Sequence, residues 1–469
     1  MSAIQRRYLT MALRASGHDA GEYLFRAIRE IGDEPLDPGW LKVWKKGGRL
    51  IREMFSPDMR EEIEARIKAI VPIDPEIAEL TVSTSARVCL LLGAGASAPP
   101  PSSIPTVSDL LPQLWRRARK LGRDDIDRLA DWCAEREIRN IEDLLTAAYL
   151  ANFAAKNSNV SGLLDYFLFK STSRALTEDP RLRASRGTFQ VDASSIALLQ
   201  DTLQGLFGLL TGIMIPAAPN AAHGAVVEFV RSHPNAAIVT TNYDGCIDEA
   251  LTAAGVSVRT HLESSSSATE EGGVDLLKIH GSINWSYCDS CHDVRAFDLL
   301  EQKRAFNDDT HSYAILGICR KCGGQRRPLL IPPLGFKFVM FPSLIRLWDR
   351  ARDTIESSEL VVVVGYSFSE ADSYINKIIE RSMTMSSTQR LLVVDPNPSL
   401  VDGLRLRFAS RIDGFDERRI LRAGASAADL LPKILKTLCA SPKASRQDEG
   451  SDLASTTPLL EVSGTSSEA

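Results

Sequence analysis

From Val88 the chain reads VCLLL and runs directly into GAGAS. Five consecutive apolar residues leave no polar face for water. A strand of that kind is buried on both sides, as in a parallel sheet covered by helices on each face. The same grammar returns in AAIVTTNYD (236–244), VDLLKIHGS (274–282), ELVVVVGYSFS (359–369) and RLLVVDPNP (390–398). Each apolar run ends in polar or turn residues. Together they predict an α/β fold with a doubly wound parallel sheet, in which ligands lie at the carboxyl ends of the strands, so these endings are expected to converge on one crevice.

The remaining segments are expected to serve that sheet. Residues 1–80 read as a helical region of mixed charge, ending in IDPEIAEL with Asp74 as cap and Pro75 in the first helical position. Residues 81–435 form the sheet domain, with a helical insertion at 106–235. In it, NIEDLLTAA sets Ile141, Leu144, Leu145 and Ala148 on one face, and IALLQDTLQGLFGLLTGIM forms a longer apolar helix. The stretch 263–273 reads as a solvated loop, and the Ser/Thr-rich segment 436–469 as a disordered tail. With 44% hydrophobic residues, 25% charged and a net charge of -5, nothing pulls the chain toward nucleic acid or a membrane. The basic N-terminus has no sustained apolar core, so a cytoplasmic location is expected.

Eight cysteines are few for 469 residues, and four form two C-x-x-C pairs. Cys288, Cys291, Cys319 and Cys322 have the layout of a four-thiolate zinc site in a ribbon at 283–327; the alternative is a redox dithiol. Four thiolates leave no open coordination position, so the zinc is structural. Cys89, Cys133, Cys246 and Cys439 are expected to be free thiols, while His292 and His311 are surplus to the metal set. Gly93 and Gly95 suit either close approach to a pyrophosphate at a helix N-terminus or simply a tight turn. Asn242 and Asp244, two apart, lean to the same side, although Asp244 could equally cap the helix that follows. His280 ends a strand and suits a base near neutral pH, or a structural role.

Taken in order, GAGAS, TTNYD, KIHGS, the paired C-x-x-C and GYSFSEAD resemble the Sir2 (sirtuin) family over roughly residues 86–435, specifically its bacterial NAD-consuming anti-phage defence branch. The resemblance implies a Rossmann-like NAD fold with a zinc ribbon. It implies that Gly93, Ala94, Gly95 and Ser97 hold the pyrophosphate and that Asn242 and Asp244 position the nicotinamide ribose and a water. His280 is then the base at the ribose hydroxyls, Gly365 and Ser367 contact phosphate, and Asp395 and Asn397 contact the adenosine ribose. Thr241 stands in the NAD site where protein-deacylating sirtuins have glutamine.

Two further departures argue against deacylation. The stretch after GAGAS lacks the Asp-Phe-Arg triplet of deacylating sirtuins, and PLLIPPLGFK replaces their peptide-pairing strand, with Pro332 and Pro333 removing backbone donors. The expected activity is therefore NAD glycohydrolysis to nicotinamide and ADP-ribose by an NAD-depleting defence effector. A protein deacylase or ADP-ribosyltransferase, and a non-catalytic NAD- or ADP-ribose-binding subunit, remain as alternatives. The resemblance further implies a separate protein as trigger, such as an ATPase or a nucleic-acid-guided partner, and a homo-oligomer.

Overall fold

The structure, a computed structural model, describes residues 75–156, 193–262, 273–305, 317–332, 341–369 and 372–439, with a few single positions before residue 75. Most of the helical region expected at 1–80, the loop at 263–273 except its last residue, His311, Pro333 and the tail after 439 lie outside the described residues. Among the described residues no helix is long and apolar enough to cross a membrane.

The strands in chain order are β1 (Val88–Leu92), β2 (Ala236–Thr240), β3 (Val258–Arg259), β4 (Val274–Lys278), β5 (Gly281–Cys288), β6 (Val294–Ala296), β7 (Arg326–Leu330), β8 (Leu360–Val364), β9 (Arg390–Val394) and β10 (Ile420–Ala423). Seven form one sheet in the order β10-β9-β8-β1-β2-β4-β3, and every neighbouring pair is parallel. The expected doubly wound sheet is therefore present. The connection reverses direction at β1, which lies between β2 and β8, and such a switch point opens a crevice. β3, β6 and β10 carry too few apolar residues in a row to have been read from the sequence.

Both faces of β1 are buried, as its unbroken apolar run requires. Cys89 and Leu91 join the core on one side of the sheet, while Val88, Leu90 and Leu92 join the core on the other. The helices divide accordingly. The second face is covered by α1 (Pro75–Ala78), α7 (Ala221–Ser232), α8 (Cys246–Ala253) and α13 (Ala427–Leu438). The first face receives α3 (Val107–Lys120), α4 (Asp124–Glu135), α5 (Ile141–Lys156), α6 (Ala193–Met214), α10 (Ile345–Ser357), α11 (Ser373–Met385) and α12 (Pro398–Ala409). Ile141, Leu144, Leu145 and Ala148 of α5 are all buried, as their spacing predicts.

Two short helices complete the chain: α2 (Ala94–Ser97), a single turn directly after β1, and α9 (Leu299–Ala305). At the switch point the turn after β1 touches the turn after β8, backbone to backbone. Gly93 N–H donates to Val364 O at 2.9 Å and Gly95 N–H to Gly365 O at 2.8 Å. A Cβ on Gly95 would lie 2.7 Å from Gly365 Cα. A Cβ on Gly365, where φ is +61°, would lie 2.4 Å from Gly95 Cα. Neither contact has a flexible side chain that could yield, so glycine is required on both turns.

Gly365→Ala is accordingly expected to destabilise the protein by about 3 kcal/mol, from left-handed strain plus backbone displacement. Chemical denaturation checks this, and a loss below about 1 kcal/mol would show that the two turns part easily.

Candidate active site

A cleft of about 600 Å³ opens above the switch point at the carboxyl ends of β1, β2, β4, β8 and β9. That volume lies within the range of small-molecule sites, roughly 300–1,000 Å³. Ala94, Gly95, Thr241, Asn242, Asp244, His280, Gly365, Ser367 and Asp395 all line it. The strand endings singled out in the sequence do converge there.

Other expected residues lie elsewhere. Gly93 and Ser97 are outside the lining, and Ser97 is buried behind Asn242. The N–H groups of Gly93, Gly95 and Ala96 are bonded to the carbonyls of Val364, Gly365 and Gly93. The glycines thus serve turn-to-turn packing, while Ala94 and Gly95 present backbone to the cleft. Asn397 is exposed and caps α12, its side chain accepting Ser399 N–H at 3.1 Å. Asp395 beside it accepts Asn397 N–H at 2.8 Å, and burial raises its carboxyl above the ordinary range.

Asn242 is held from three directions. Its backbone N–H donates to Thr240 Oγ1 at 3.1 Å, and its Nδ2 donates to Gly93 O at 3.0 Å and Ser97 Oγ at 3.3 Å. Asp244 both lines the cleft and supports α8, since Oδ1 accepts Cys246 N–H at 2.9 Å. Its backbone carbonyl accepts from the fully buried Lys278, which also pairs with Asp248 at 2.7 Å.

His280 follows β4, and its neighbours are pinned. Trp348 Nε1 donates to Ile279 O at 2.9 Å, and Ile331 N–H donates to His280 O at 2.7 Å. Gly281 turns the chain out of the parallel sheet with φ +80°, where a Cβ would strike Leu329 O. The ring of His280 is buried, with Nε2 3.5 Å from Asp372 Oδ2. Asp372 in turn accepts from Tyr366 Oη at 3.1 Å.

Beyond that turn, β5 pairs with β6 and β7 in an antiparallel three-stranded sheet. Cys288, Cys291, Cys319 and Cys322 bring their Sγ atoms within 4.8 Å of one another. The Cys288–Cys322 and Cys291–Cys319 separations are 3.5 and 3.7 Å. Tetrahedral thiolates about 2.3 Å from zinc would be about 3.8 Å apart, so the cluster fits a structural zinc. His292 lies outside it, against the Tyr287 hydroxyl. The ribbon is tied to the cleft through Tyr243, whose carbonyl accepts Ile283 N–H at 2.9 Å and whose hydroxyl donates to Ile331 O at 3.0 Å.

Two acids in the cleft carried no signal in sequence reasoning. Asp372 lies inside GYSFSEAD, read only as a whole motif, and Glu142 resembles an ordinary acid in the first turn of a helix. Burial, with Asp372 and Asp143 nearby, pushes the Glu142 carboxyl up to about 7.

The fold and cleft define a switch-point α/β site with an appended four-cysteine ribbon. Residues 236–413 match the family model of the SIR2-like domain. The chain is 26% identical over 154 residues to NAD-dependent protein deacylase 1 of Pseudomonas syringae pv. tomato, covering 32% of this chain and 52% of that protein. It is 24% identical over 156 residues to an NAD-dependent protein deacetylase of Staphylococcus aureus, covering 33% and 48%. The chain thus spans about half the length of the curated relatives it matches. A crystal structure of a Sir2 homologue–NAD complex aligns with 78% of this chain and 94% of that one, at 16% identity and a TM-score of 0.42. The domain match and the curated relatives show a likeness to Sir2 proteins over part of the chain.

The half-buried carboxyl of Glu142 gives a signed prediction. Its folded pKa exceeds the ordinary value of 4.5, so stability falls as pH rises from about 4.5 to about 7, as the unfolded chain releases that proton first. Glu142→Gln should gain about 3 kcal/mol over the parent at pH 8 and almost nothing at pH 4, read from unfolding at the two pH values. Equal differences at both would contradict a raised carboxyl at Glu142.

Proposed function

We propose that the chain hydrolyses the nicotinamide–ribose bond of NAD, giving nicotinamide and ADP-ribose. The observation that carries this reading is that Asn242 and His280, at the ends of adjacent strands β2 and β4, face one cleft together with Asp244. On this reading NAD extends from them past the Ala94–Gly95 turn toward Asp395, with Thr241, Gly365 and Ser367 along its path.

The chemistry needs little more. Water oxygen bonds to the ribose C1′ as the C1′–N bond breaks, nicotinamide leaves with the bonding pair, and the water proton passes to His280. Positive charge builds on the ribose in the transition state, and the Asp244 carboxylate counters it in a site partly shielded from water. Asn242 orients the water. The zinc ribbon contributes no reacting group and supports the strand end that carries His280.

The relatives' names raise protein deacylation as a second reading. Against it, Ile331 N–H is already bonded to His280 O and Pro332 has no N–H, so neither of the two described residues after β7 offers a donor to an incoming peptide strand. From the resemblance to NAD-consuming defence proteins alone, we extend the proposal to an NAD-depleting effector of bacterial anti-phage defence, acting as a homo-oligomer. A separate protein, an ATPase or a nucleic-acid-guided one, would release a low basal activity.

Nicotinamide release from NAD alone, followed with and without an acetyl-lysine peptide, tests the reaction. Release independent of peptide, and reduced at least 100-fold in folded Asn242→Ala and His280→Ala variants, is expected. Strictly peptide-dependent release would establish deacylation instead, and tight NAD binding without turnover, even with the genomic neighbour added, would leave a binding subunit.

A further inference from the structure

Beneath the cleft, Lys278 closes β4 at a position whose packing has no need of a charge. All five residues of β4 are buried, and Lys278 is 0% exposed. An apolar side chain would fill that space without the desolvation an ammonium must overcome, and a buried ion pair seldom repays that cost in stability. Its hydrogens show what it holds instead. Nζ donates to the backbone carbonyl of Asp244, in the turn after β2, at 2.6 Å and to Asp248 Oδ2 on α8 at 2.7 Å.

The turn it grips is the one that faces the cleft. One residue earlier, the carbonyl of Tyr243 accepts Ile283 N–H at 2.9 Å and Ser282 Oγ at 3.3 Å, which ties that peptide to β5. At Asp244 the carbonyl belongs to Lys278, and side-chain Oδ1 accepts Cys246 N–H at 2.9 Å. The Asp244 carbonyl and the nitrogen of Gly245 share one rigid peptide plane. Rotating that plane would take the carbonyl away from Lys278 and carry Cys246 N–H away from Oδ1. With both bonds made, Oδ2 is the carboxylate oxygen left for the cleft that Asp244 lines.

We propose that Lys278 is a positioning residue for Asp244: from beneath the cleft its ammonium fixes the peptide plane that aims the Asp244 carboxylate at the reacting ribose, with Asp248 as its counter-charge. The inference rests on the hydrolytic reading above for its effect on the reaction and on these hydrogen bonds for its geometry. Asp244 opposes charge that develops only in the transition state, so misplacing it raises the barrier more than it weakens binding. Lys278 therefore acts on kcat and leaves KM for NAD nearly unchanged.

A pair that merely fastened α8 to the sheet would make turnover follow stability. Positioning makes the two part in opposite directions. Asp248→Asn leaves the ammonium on the Asp244 carbonyl but removes its counter-charge, so Tm should fall while kcat of the folded protein stays near the parental value. Lys278→Met combined with Asp248→Leu removes both charges and fills their space with apolar groups. Its Tm should hold or rise, while kcat falls on the order of 10- to 100-fold with little change in KM. Lys278→Gln combined with Asp248→Asn serves as a second pair should the apolar one not fold. The two amides can bond to each other, but the side chain at 278 is then one atom shorter and no longer reaches Asp244 O, so the same loss of kcat is expected. Parental kcat in a folded double variant, or a kcat that follows Tm across the set, would overturn the proposal.

Hydrogen exchange at the Cys246 amide, read residue by residue without NAD, separates the placement from the reaction. In the double variants it should be on the order of 10-fold faster than in the parent, while the amides within β2 and β4 keep their parental rates. Unchanged exchange at Cys246 would refute the placement even if the parent hydrolyses NAD. Faster exchange there would support the placement even if the parent hydrolyses none, and the hydrolytic reading alone would then fail.

Discussion

The site depends on one contact, the backbone crossing of the turns after β1 and β8. A doubly wound sheet must separate its two sets of connections somewhere, and here they separate around β1. Gly93, Gly95 and Gly365 let the two turns come closer than any side chain would permit. That contact forms the floor of the cleft and frees the ends of β2, β4 and β9 to supply side chains above it. It also exposes Gly93 O to Asn242, so a glycine needed for packing also helps align a side chain that lines the cleft.

The second constraint is the departure of the chain from the sheet after His280. Gly281 can adopt positive φ in a place where its absent Cβ would meet Leu329 O, and the strand that follows belongs to the ribbon. Bonds from Tyr243 and Ile331 stitch the ribbon back to the ends of β2 and β4. Histidine and cysteines are near in sequence because one element ends where the next begins. A zinc held by the four cysteines would bear on His280 only through backbone placement, the usual service of a structural zinc site.

Much of this was legible in the residues. Continuous apolar runs such as VCLLL and LVVVV identify doubly buried strands with little ambiguity, and their polar endings name Asn242, Asp244 and His280 before any coordinates. Paired C-x-x-C spacing carries the metal cluster through a spacer longer than usual. What stayed hidden depends on packing. Gly93 and Gly95 suggest phosphate contact in isolation, and only the position of Gly365 reveals their second task, the packing of the two turns. Glu142 reads as a routine helix-start acid until α5 brings it against Asp372. Asn397 lies outside the cleft lining, its side chain engaged in a local capping bond.

The cleft has two chemically distinct ends. Asn242, Asp244 and His280 gather at the ends of β2 and β4, whereas Asp395 and Ser426 lie beyond the crossing toward β9 and β10. The proposed reaction requires NAD to span the glycine floor in one orientation. A crystal structure of the His280→Ala variant with NAD tests this most directly. The account predicts the nicotinamide ribose beside Asn242 and Asp244, the pyrophosphate over Ala94 and Gly95, and the adenosine toward Asp395. Adenine beside Asn242, or NAD outside the cleft, would contradict it.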